Sequence, residues 1–115
     1  MPPVHLVTAV IKPHAIDDVK EALRKVGVTG LTVSEVRGFG RQGGHTETYR
    51  GTEYRIDFVP KAKVEVLVDG PDTDGVVDAI AVSARSGKIG DGKIWVTEVS
   101  RAVRIRTGEE GGDAV

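Results

Sequence analysis

The sequence predicts an α+β domain made of two strand–helix–strand units, and three features of its pattern support this fold class. Two apolar runs rich in β-branched residues, one near the start of the chain and one in its middle, have the character of strands. Each is followed by a segment whose apolar residues recur at helical spacing, and each of those segments by a further strand-like run. The order β-α-β-β-α-β is typical of the ferredoxin-like fold, in which two helices cover one face of an antiparallel sheet.

The first unit begins with an apolar run at Val4–Ile11, which Pro13 ends. A helix is predicted next by apolar residues at helical spacing: Ile16, Val19, Leu23 and Val26. Acidic residues in its first turn and basic residues in its last turn suit the helix dipole. Gly27 is expected to stop the helix, and a second strand is expected over Val28–Val36.

The second unit begins with a long strand predicted over Ile56–Val68, with alternating valines at 64, 66 and 68 on one face. Pro60 lies inside this strand and implies an edge position or a bulge. A helix is expected over Asp72–Ser86, ended by Gly87, with an apolar stripe of Val76, Val77, Ile80, Ala81 and Ala84. A last strand is expected over Ile94–Val99.

Composition limits the classes of protein that this chain can belong to. Its 115 residues suit one domain, and its formal net charge of −1 gives no general attraction to nucleic acid or to an anionic membrane. The absence of cysteine excludes disulfides, thiolate metal sites and a cysteine nucleophile. No apolar run approaches the roughly 20 residues of a membrane span, and Met1–His5 lacks the features of a signal peptide. We therefore expect a cytoplasmic protein.

Two segments do not fit the predicted core. Residues 37–55 are polar and contain five glycines, so they cannot bury enough apolar area to order themselves. Loops of this length in compact domains are usually functional or disordered. Near the C-terminal end, Arg104 and Arg106 alternate with Val103 and Ile105, which predicts an extended segment with both arginines on one face. The tail from 109 to 115 is expected to be mobile.

The glycine-rich segment Gly87–Lys93 predicts a polyphosphate site. It places three glycines and two lysines between a helix and a strand. Glycine lets backbone N–H groups approach an anion, and lysine adds a mobile positive charge. The segment is not a Walker loop, because Ile94 stands where Ser or Thr should hold magnesium and because the order of helix and strand is reversed.

Taken together, these three segments resemble the PII family of nitrogen-regulatory signal-transduction proteins. The resemblance covers the chain from the first strand to about Glu109. It rests on T-loop motifs at Gly38-Phe39-Gly40-Arg41-Gln42, Gly44-His45-Thr46-Glu47, Tyr49-Arg50-Gly51 and Glu53-Tyr54, on a B-loop at Gly87-Lys88-Ile89-Gly90-Asp91-Gly92-Lys93, and on a C-terminal loop at Arg104-Ile105-Arg106-Thr107-Gly108-Glu109.

The resemblance implies a single domain over 1–115 that assembles as a compact homotrimer, with a T-loop at about 37–55, a B-loop at about 85–93 and a C-terminal loop at about 104–115. It implies that ATP or ADP binds in the clefts between subunits, and that 2-oxoglutarate binds beside ATP with Mg²⁺. The implied nucleotide-binding residues are Thr32, Gly38, Gly40, Arg41, Gln42, Lys61, Glu65, Ile89, Gly90, Asp91, Gly92, Lys93, Arg104 and Arg106. The implied 2-oxoglutarate ligands are Gln42, Lys61 and Gly90.

Roles also follow from the resemblance. Gly90, Gly92 and Lys93 would cradle the phosphates. The two C-terminal arginines would reach the same phosphates from the neighbouring subunit, since planar guanidinium forks suit them. Thr32 and Glu65 would face the base and sugar, whereas Gly38, Gly40 and Arg41 would lie at the base of the T-loop. Gln42 would be the Mg²⁺ ligand through its amide oxygen, and Lys61 would pair with a carboxylate of 2-oxoglutarate.

The implied function is that of a signalling regulator and not of an enzyme. ATP with 2-oxoglutarate would select one T-loop conformation and ADP another, in proportion to their differential affinities. The loop would then bind targets such as an ammonium transporter, a nucleotidyltransferase or nitrogen-assimilation enzymes. No direct contact with nucleic acid is implied, and membrane contact would come only through a transporter. Tyr54 would be the site of nucleotidylylation, by UMP or AMP, which adds bulk and negative charge.

Two other functions are compatible with the predicted order of elements. An RNA-binding domain would need aromatic side chains on its central strands, yet the chain has two Phe, two Tyr and one Trp, and three of these five lie in the T-loop. An ATP-hydrolysing enzyme would need a base near the phosphates, and Asp91 is the nearest candidate. Lys61 could otherwise be a solvated lysine on an edge strand, Tyr54 the first residue of the third strand, and Trp95 a core or subunit-interface residue.

Overall fold

The computed structural model describes residues 3–39, 46–49, 53–56 and 58–115. Two α-helices and six strands follow one another in the order β1 (Val4–Ile11), α1 (Ile16–Lys25), β2 (Thr32–Gly38), β3 (Thr46–Tyr49), β4 (Glu53–Ile56), β5 (Val59–Asp69), α2 (Thr73–Ala84) and β6 (Gly92–Val99). Four of the strands form one antiparallel sheet in the order β2-β5-β1-β6, and β3 pairs with β4 in a separate ribbon. The expected ferredoxin-like arrangement is therefore confirmed.

Both helices pack on the same face of the sheet, as the apolar stripes predicted. In the centre of that face Val7 pairs with Val66, and Ala9 pairs with Val64. The helices contribute the largest fully buried side chains on their side of the core, namely Val19, Leu23, Val76 and Ile80. Burying such a side chain contributes about 1.5–3 kcal/mol relative to leaving it in water, so this layer is the main source of the fold's stability.

Several element boundaries differ from those predicted. The second strand begins at Thr32 and not at Val28, because Gly27 ends α1 with a φ of 96° and the chain needs four residues to return to the sheet edge. Helix α2 ends at Ala84, before the expected Gly87, because Arg85 is already extended. Strand β6 begins at Gly92, so the end of the glycine-rich segment belongs to a strand that pairs with Ile11 of β1.

Pro60 lies in a strand that is central in the sheet and not at its edge. Strand β5 is paired on both sides, but its pairing with β1 ends at Ala62, which is opposite Ile11. At Pro60 only β2 is a neighbour, with Arg37 as the cross-strand partner. The position is thus a local edge, where the missing N–H of proline is tolerated.

The segment 37–55 is more ordered than expected. Residues 37 and 38 continue β2, and the backbone of 46–49 pairs antiparallel with that of 53–56, with Thr46 opposite Ile56 and Tyr49 opposite Glu53. Ile56 therefore belongs to this ribbon and not to the long strand of the second unit. The expectation that the segment has no order of its own is wrong for these residues.

The tail is also ordered. After an isolated bridge between Val103 and Glu110 the chain forms a 3-10 helix over Gly111–Ala114, which packs against β5. The expectation of a mobile tail from 109 to 115 is therefore wrong. The local sequence does not reveal this order, because the tail combines hydrogen bonds to residues 102–104 with packing against β5, which is distant in the chain.

The helices leave the opposite face of the sheet uncovered within the described part of the chain. In its centre Thr8 is flanked by Glu65 on β5 and by Trp95 on β6. Beside them Leu67 is 46% exposed and Trp95 is 45% exposed, so Trp95 is not a core residue of the single chain. Within the described residues, neither helix is long and apolar enough to cross a membrane.

Candidate nucleotide-binding site

The loop that follows α2 is held in shape by one carboxylate. Asp91 accepts hydrogen bonds from the backbone N–H groups of Ser86 (2.8 Å) and Gly87 (2.9 Å) and from the hydroxyl of Ser86 (2.5 Å). The Ser86 hydroxyl also accepts a hydrogen bond from the N–H of Lys88. These contacts, led by the Ser86 hydroxyl, hold the pKa of Asp91 far below its ordinary range. The carboxylate is therefore ionised at neutral pH and bonded inside the loop.

Three glycines give this loop its path. Gly87, Gly90 and Gly92 have φ values of 84°, 98° and 110°, in the left-handed region that other residues rarely adopt. Gly92 is also constrained by space, because a Cβ atom on it would lie 1.8 Å from the carbonyl oxygen of Val10. The loop is thereby pressed against the end of β1, and no other residue fits at position 92.

Lys12 joins the end of β1 to the same loop. Its Nζ lies 3.2 Å from Asp91 Oδ1 and donates a hydrogen bond to the hydroxyl of Ser86 at 3.4 Å. Lys12 is not among the residues that the sequence predicted for the site. Only the fold brings the end of β1 beside the loop after α2, so no local signal could have identified it.

Lys61 reaches the loop from β5. Its side chain is buried, and Nζ donates a hydrogen bond to the carbonyl oxygen of Gly90 at 2.8 Å. Burial, and to a smaller extent the nearby ammonium of Lys12, lower the pKa of Lys61, while the carboxylate of Asp91 opposes this shift. The alternative interpretation of Lys61 as a solvated edge lysine is therefore wrong.

A second group of the expected residues lines a cleft of about 830 Å³ at the other end of β5. Thr32 and Glu65 are cross-strand partners in its wall, and Arg104 lies at the same cleft. Glu65 is four residues from Lys61 on the same strand, which places the two groups roughly 13 Å apart along the sheet. The expected ligand-binding residues of a single chain therefore fall into two separate groups, which we call half-sites.

The C-terminal arginines do not lie on one face of an extended segment, so that expectation is wrong. Residues 104–108 form a tight turn in which the N–H of Gly108 donates to the carbonyl oxygen of Arg104 at 2.8 Å. The Arg104 guanidinium contacts Glu109 and the carbonyl oxygen of Val115, whereas Arg106 is exposed in the turn. Residues 105–107 have turn backbone, so the side-chain alternation of an extended strand does not relate Arg104 to Arg106.

The remaining expected residues are distributed as follows. Gly38 ends β2 opposite Val59, Lys93 is exposed at the start of β6, and Ile89 is 65% exposed at the tip of the loop. The expected residues Gly40, Arg41 and Gln42 lie outside the described residues. Tyr54 lies in β4, opposite Thr48. Within the described ranges no three His, Asp or Glu side chains are grouped as metal ligands.

Comparison with known proteins decides the family. The family model for nitrogen regulatory protein P-II matches residues 4–109 of this chain. The chain belongs to the P-II family. It is 58% identical, over 95% of its length and 97% of theirs, to the nitrogen regulatory protein P-II of Pasteurella multocida and to the nitrogen regulatory protein P-II 1 of Escherichia coli K12.

Solved structures of P-II proteins share the fold. The Arabidopsis thaliana PII bound to citrate superposes with a TM-score of 0.81 at 39% identity, over 99% of this chain and 94% of that one. Bacillus subtilis GlnK superposes with a TM-score of 0.82 at 39% identity, over 98% and 99% of the two chains. This P-II chain is thus a nitrogen-regulatory signal-transduction protein and not an enzyme, and the RNA-binding and ATP-hydrolysing alternatives are not favoured. P-II proteins bind small-molecule effectors and act on target proteins.

Proposed function

We propose that this P-II protein senses ATP or ADP together with 2-oxoglutarate and reports the bound state to target proteins through its T-loop. The observation that carries the proposal is the largely buried side chain of Lys61, whose ammonium donates to the carbonyl oxygen of Gly90 in the glycine-rich loop. A cation that is partly withdrawn from water needs a polar or anionic partner. An anionic effector that binds Lys61 and a phosphate that binds the glycine-rich loop would therefore both act on the hydrogen bond between Lys61 and Gly90.

The glycine-rich loop is the proposed site for the nucleotide phosphates. Gly90 and Gly92 have positive φ values, a conformation in which backbone N–H groups can form an anion-binding concavity, and the exposed Lys93 follows them. Ile89 lies at the exposed tip. Asp91 contributes by shaping the loop, because its carboxylate is occupied by Ser86 and Gly87. A carboxylate pointing at the phosphates would repel them, so its inward position supports anion binding.

The cleft at Thr32 and Glu65 is the proposed site for the adenine and ribose. Its cross-strand pair offers a hydroxyl and a carboxylate that can bond the base and sugar. The two half-sites of one chain lie at opposite ends of β5. A nucleotide between subunits would join the cleft and C-terminal arginines of one chain to the loop of another, with Arg104 and Arg106 on its phosphates.

A homotrimer would complete these sites. The uncovered face of the sheet presents Leu6, Leu67 and Trp95, and half-exposed apolar residues on such a face favour association. We propose that three sheets pack through this face. Light scattering should give the trimer mass for the natural chain and a smaller mass for Leu67→Lys, whose added charge would be buried without a partner.

2-Oxoglutarate is proposed to bind beside the nucleotide, with one carboxylate on Lys61 and with Gly90 as a neighbour. Mg²⁺ would be held by the nucleotide phosphates and by Gln42, whose amide oxygen suits a hard cation. Gly38, Gly40 and Arg41, at the base of the T-loop, would carry the effect of both ligands into the loop. The positive charge of Mg²⁺, held by ATP, would complete the site for 2-oxoglutarate.

The T-loop is the proposed contact with targets such as an ammonium transporter, a nucleotidyltransferase or nitrogen-assimilation enzymes. Tyr54 is the proposed site of modification by UMP or AMP. A nucleotidyl group there adds negative charge and bulk to the contact surface, so it would change which target binds. Mass spectrometry of the protein from nitrogen-limited and nitrogen-replete cells would locate the modification.

Calorimetric titration of 2-oxoglutarate, with and without Mg-ATP, tests the proposed function. Heat of binding that requires Mg-ATP supports paired sensing of the two effectors. Binding of ATP without any binding of 2-oxoglutarate would reduce the protein to an adenine-nucleotide sensor, and binding of neither would refute the proposal.

A further inference from the structure

The tail of the chain, residues 109–115, occupies the guanidinium of Arg104. Arg104 Nη1 lies 3.4 Å from Glu109 Oε1, and Nη2 donates a hydrogen bond to the carbonyl oxygen of Val115 at 3.2 Å. The backbone of Arg104 is held as well, because its N–H donates to the carbonyl oxygen of Glu109 at 2.8 Å. Both ends of the tail therefore contact one arginine.

The tail also forms part of the wall of the cleft that we assign to the base and sugar. Gly112, Ala114 and Val115 line it together with Thr32 and Glu65. The N–H of Gly111 donates to the carbonyl oxygen of Ala102 at 3.0 Å. Gly112 fits closely against β5, since a Cβ atom there would lie 2.7 Å from Asp69 Oδ1. The tail is thus a docked element with its own close-fitting contacts.

We propose that this tail is a built-in competitor of the nucleotide. A guanidinium has five N–H donors in a fixed plane, so turning its fork towards a phosphate removes it from Glu109 and from Val115. Nucleotide binding would then release the tail from the cleft, and the docked tail would lower the apparent nucleotide affinity by the fraction of protein in which it is docked. This inference rests on the proposed role of Arg104 in phosphate binding.

Hydrogen exchange on the full chain gives the first test. A ligand ordinarily slows exchange of nearby amides, but release of the tail would do the opposite. We expect ATP to accelerate exchange at Gly111 and Val115, whose N–H groups are bonded in the docked tail, while it slows exchange in the glycine-rich loop. Slower exchange at both sites with ATP would overturn the inference.

Two neighbouring glutamates provide a matched pair of variants for the second test. Glu109→Gln removes the charge that holds Arg104, whereas Glu110→Gln removes the partner of Arg101, at 3.0 Å, without touching Arg104. Loss of an exposed ion pair of this kind changes an equilibrium constant about two-fold to five-fold. ATP should bind Glu109→Gln tighter by that factor and should bind Glu110→Gln as it binds the natural chain. Equal affinities for all three proteins would overturn the inference.

Gly112→Val releases the tail by shape and separates this inference from the proposed function. Its branched side chain would have to push the Asp69 carboxylate aside and thereby loosen the tail, so Gly111 and Val115 should exchange faster without any nucleotide, and ATP should bind more tightly. Faster exchange with unchanged ATP affinity would refute the competition and leave nucleotide sensing intact. Failure of ATP to bind the natural chain and every variant would refute nucleotide sensing itself, and the competition with it.

Discussion

Lys61 Nζ donates a hydrogen bond to the carbonyl oxygen of Gly90 at 2.8 Å, and this contact joins the central strand β5 to the glycine-rich loop. The two residues are 29 positions apart in the sequence. Because the acceptor is a backbone oxygen of the loop, a ligand that withdraws Lys61 would also free Gly90. On the proposed assignment, this one side chain would couple the 2-oxoglutarate half of the site to the phosphate half.

Replacement of Lys61 should weaken 2-oxoglutarate binding about ten-fold or more and preserve part of the ATP affinity. Lys61→Met keeps the apolar stem and removes the charge that pairs with the effector's carboxylate. Losing a hydrogen bond to a charged group costs roughly 1.5–3 kcal/mol, which is about ten-fold or more in affinity. Calorimetry with Mg-ATP present measures the change, and Lys63→Met, two residues along the same strand, is the control. Equal 2-oxoglutarate affinity in Lys61→Met and the natural chain would remove Lys61 from the site.

The lowered pKa of Lys61 predicts how 2-oxoglutarate affinity depends on pH. The effector's carboxylate needs the charged ammonium. A free lysine has a pKa of about 10.4. Burial lowers the pKa of Lys61, so Lys61 loses its proton at a lower pH than a free lysine does. We expect affinity to fall as the pH rises through the lowered pKa. The folded state binds this proton less well than the unfolded state, so in the same window the Lys61 contribution to stability rises with pH. Calorimetry between neutral and alkaline pH checks the first effect, and affinity that is flat up to the ordinary lysine pKa would contradict it.

Asp91 should keep the glycine-rich loop closed well into the acidic range. Its pKa is depressed in the folded state, so its contribution to stability is complete above the unfolded value of about 3.9 and is lost as the pH falls towards the depressed folded value. Asp91→Asn removes the charge and leaves a single acceptor oxygen for three donors. The amides of Ser86 and Gly87 should then exchange faster at every pH, as measured by NMR. The exposed Asp78→Asn in α2 is the control, and unchanged exchange at Ser86 in Asp91→Asn would contradict the assigned role.

How far the sequence predicts this molecule depends on the range of the contacts involved. The apolar stripes of β5 and α2 are periodic, so their buried faces follow from local pattern alone. The end of α2 does not follow from local pattern, because Arg85 is extended at the start of the loop that Asp91 closes. The docking of the tail does not follow from local pattern either, since the tail packs against β5, which is distant in the chain. The resemblance to the P-II family selected Lys61 as a site residue, but neither it nor the periodicity revealed Lys12, which contacts Asp91 and Ser86.

Arg104 should contribute to ATP affinity across the subunit boundary. Arg104→Ala removes a planar donor from the phosphates, and a lost charge-assisted contact should weaken ATP binding about ten-fold. The exposed Arg101, which pairs with Glu110, gives the matched control Arg101→Ala. Calorimetry of ATP compares the two variants. If both bind ATP as the natural chain does, Arg104 does not reach the phosphates, and the competition proposed for the tail fails with it.

Gly92 should be irreplaceable for steric reasons that Gly75 does not share. A Cβ atom at position 92 would lie 1.8 Å from the carbonyl oxygen of Val10 and would require a φ of 110°, whereas at Gly75 in α2 it would meet nothing within 4 Å. Because the obstacle at position 92 is backbone, β6 must separate from β1 at its first residue. We expect Gly92→Ala to lower the free energy of unfolding by about 2–5 kcal/mol, combining overpacking with backbone strain. Gly75→Ala should raise it by up to about 1 kcal/mol through helix propensity. Urea denaturation of both variants measures the difference, and a Gly92→Ala protein as stable as the natural chain would mean that the loop after α2 can move away from β1 at no cost.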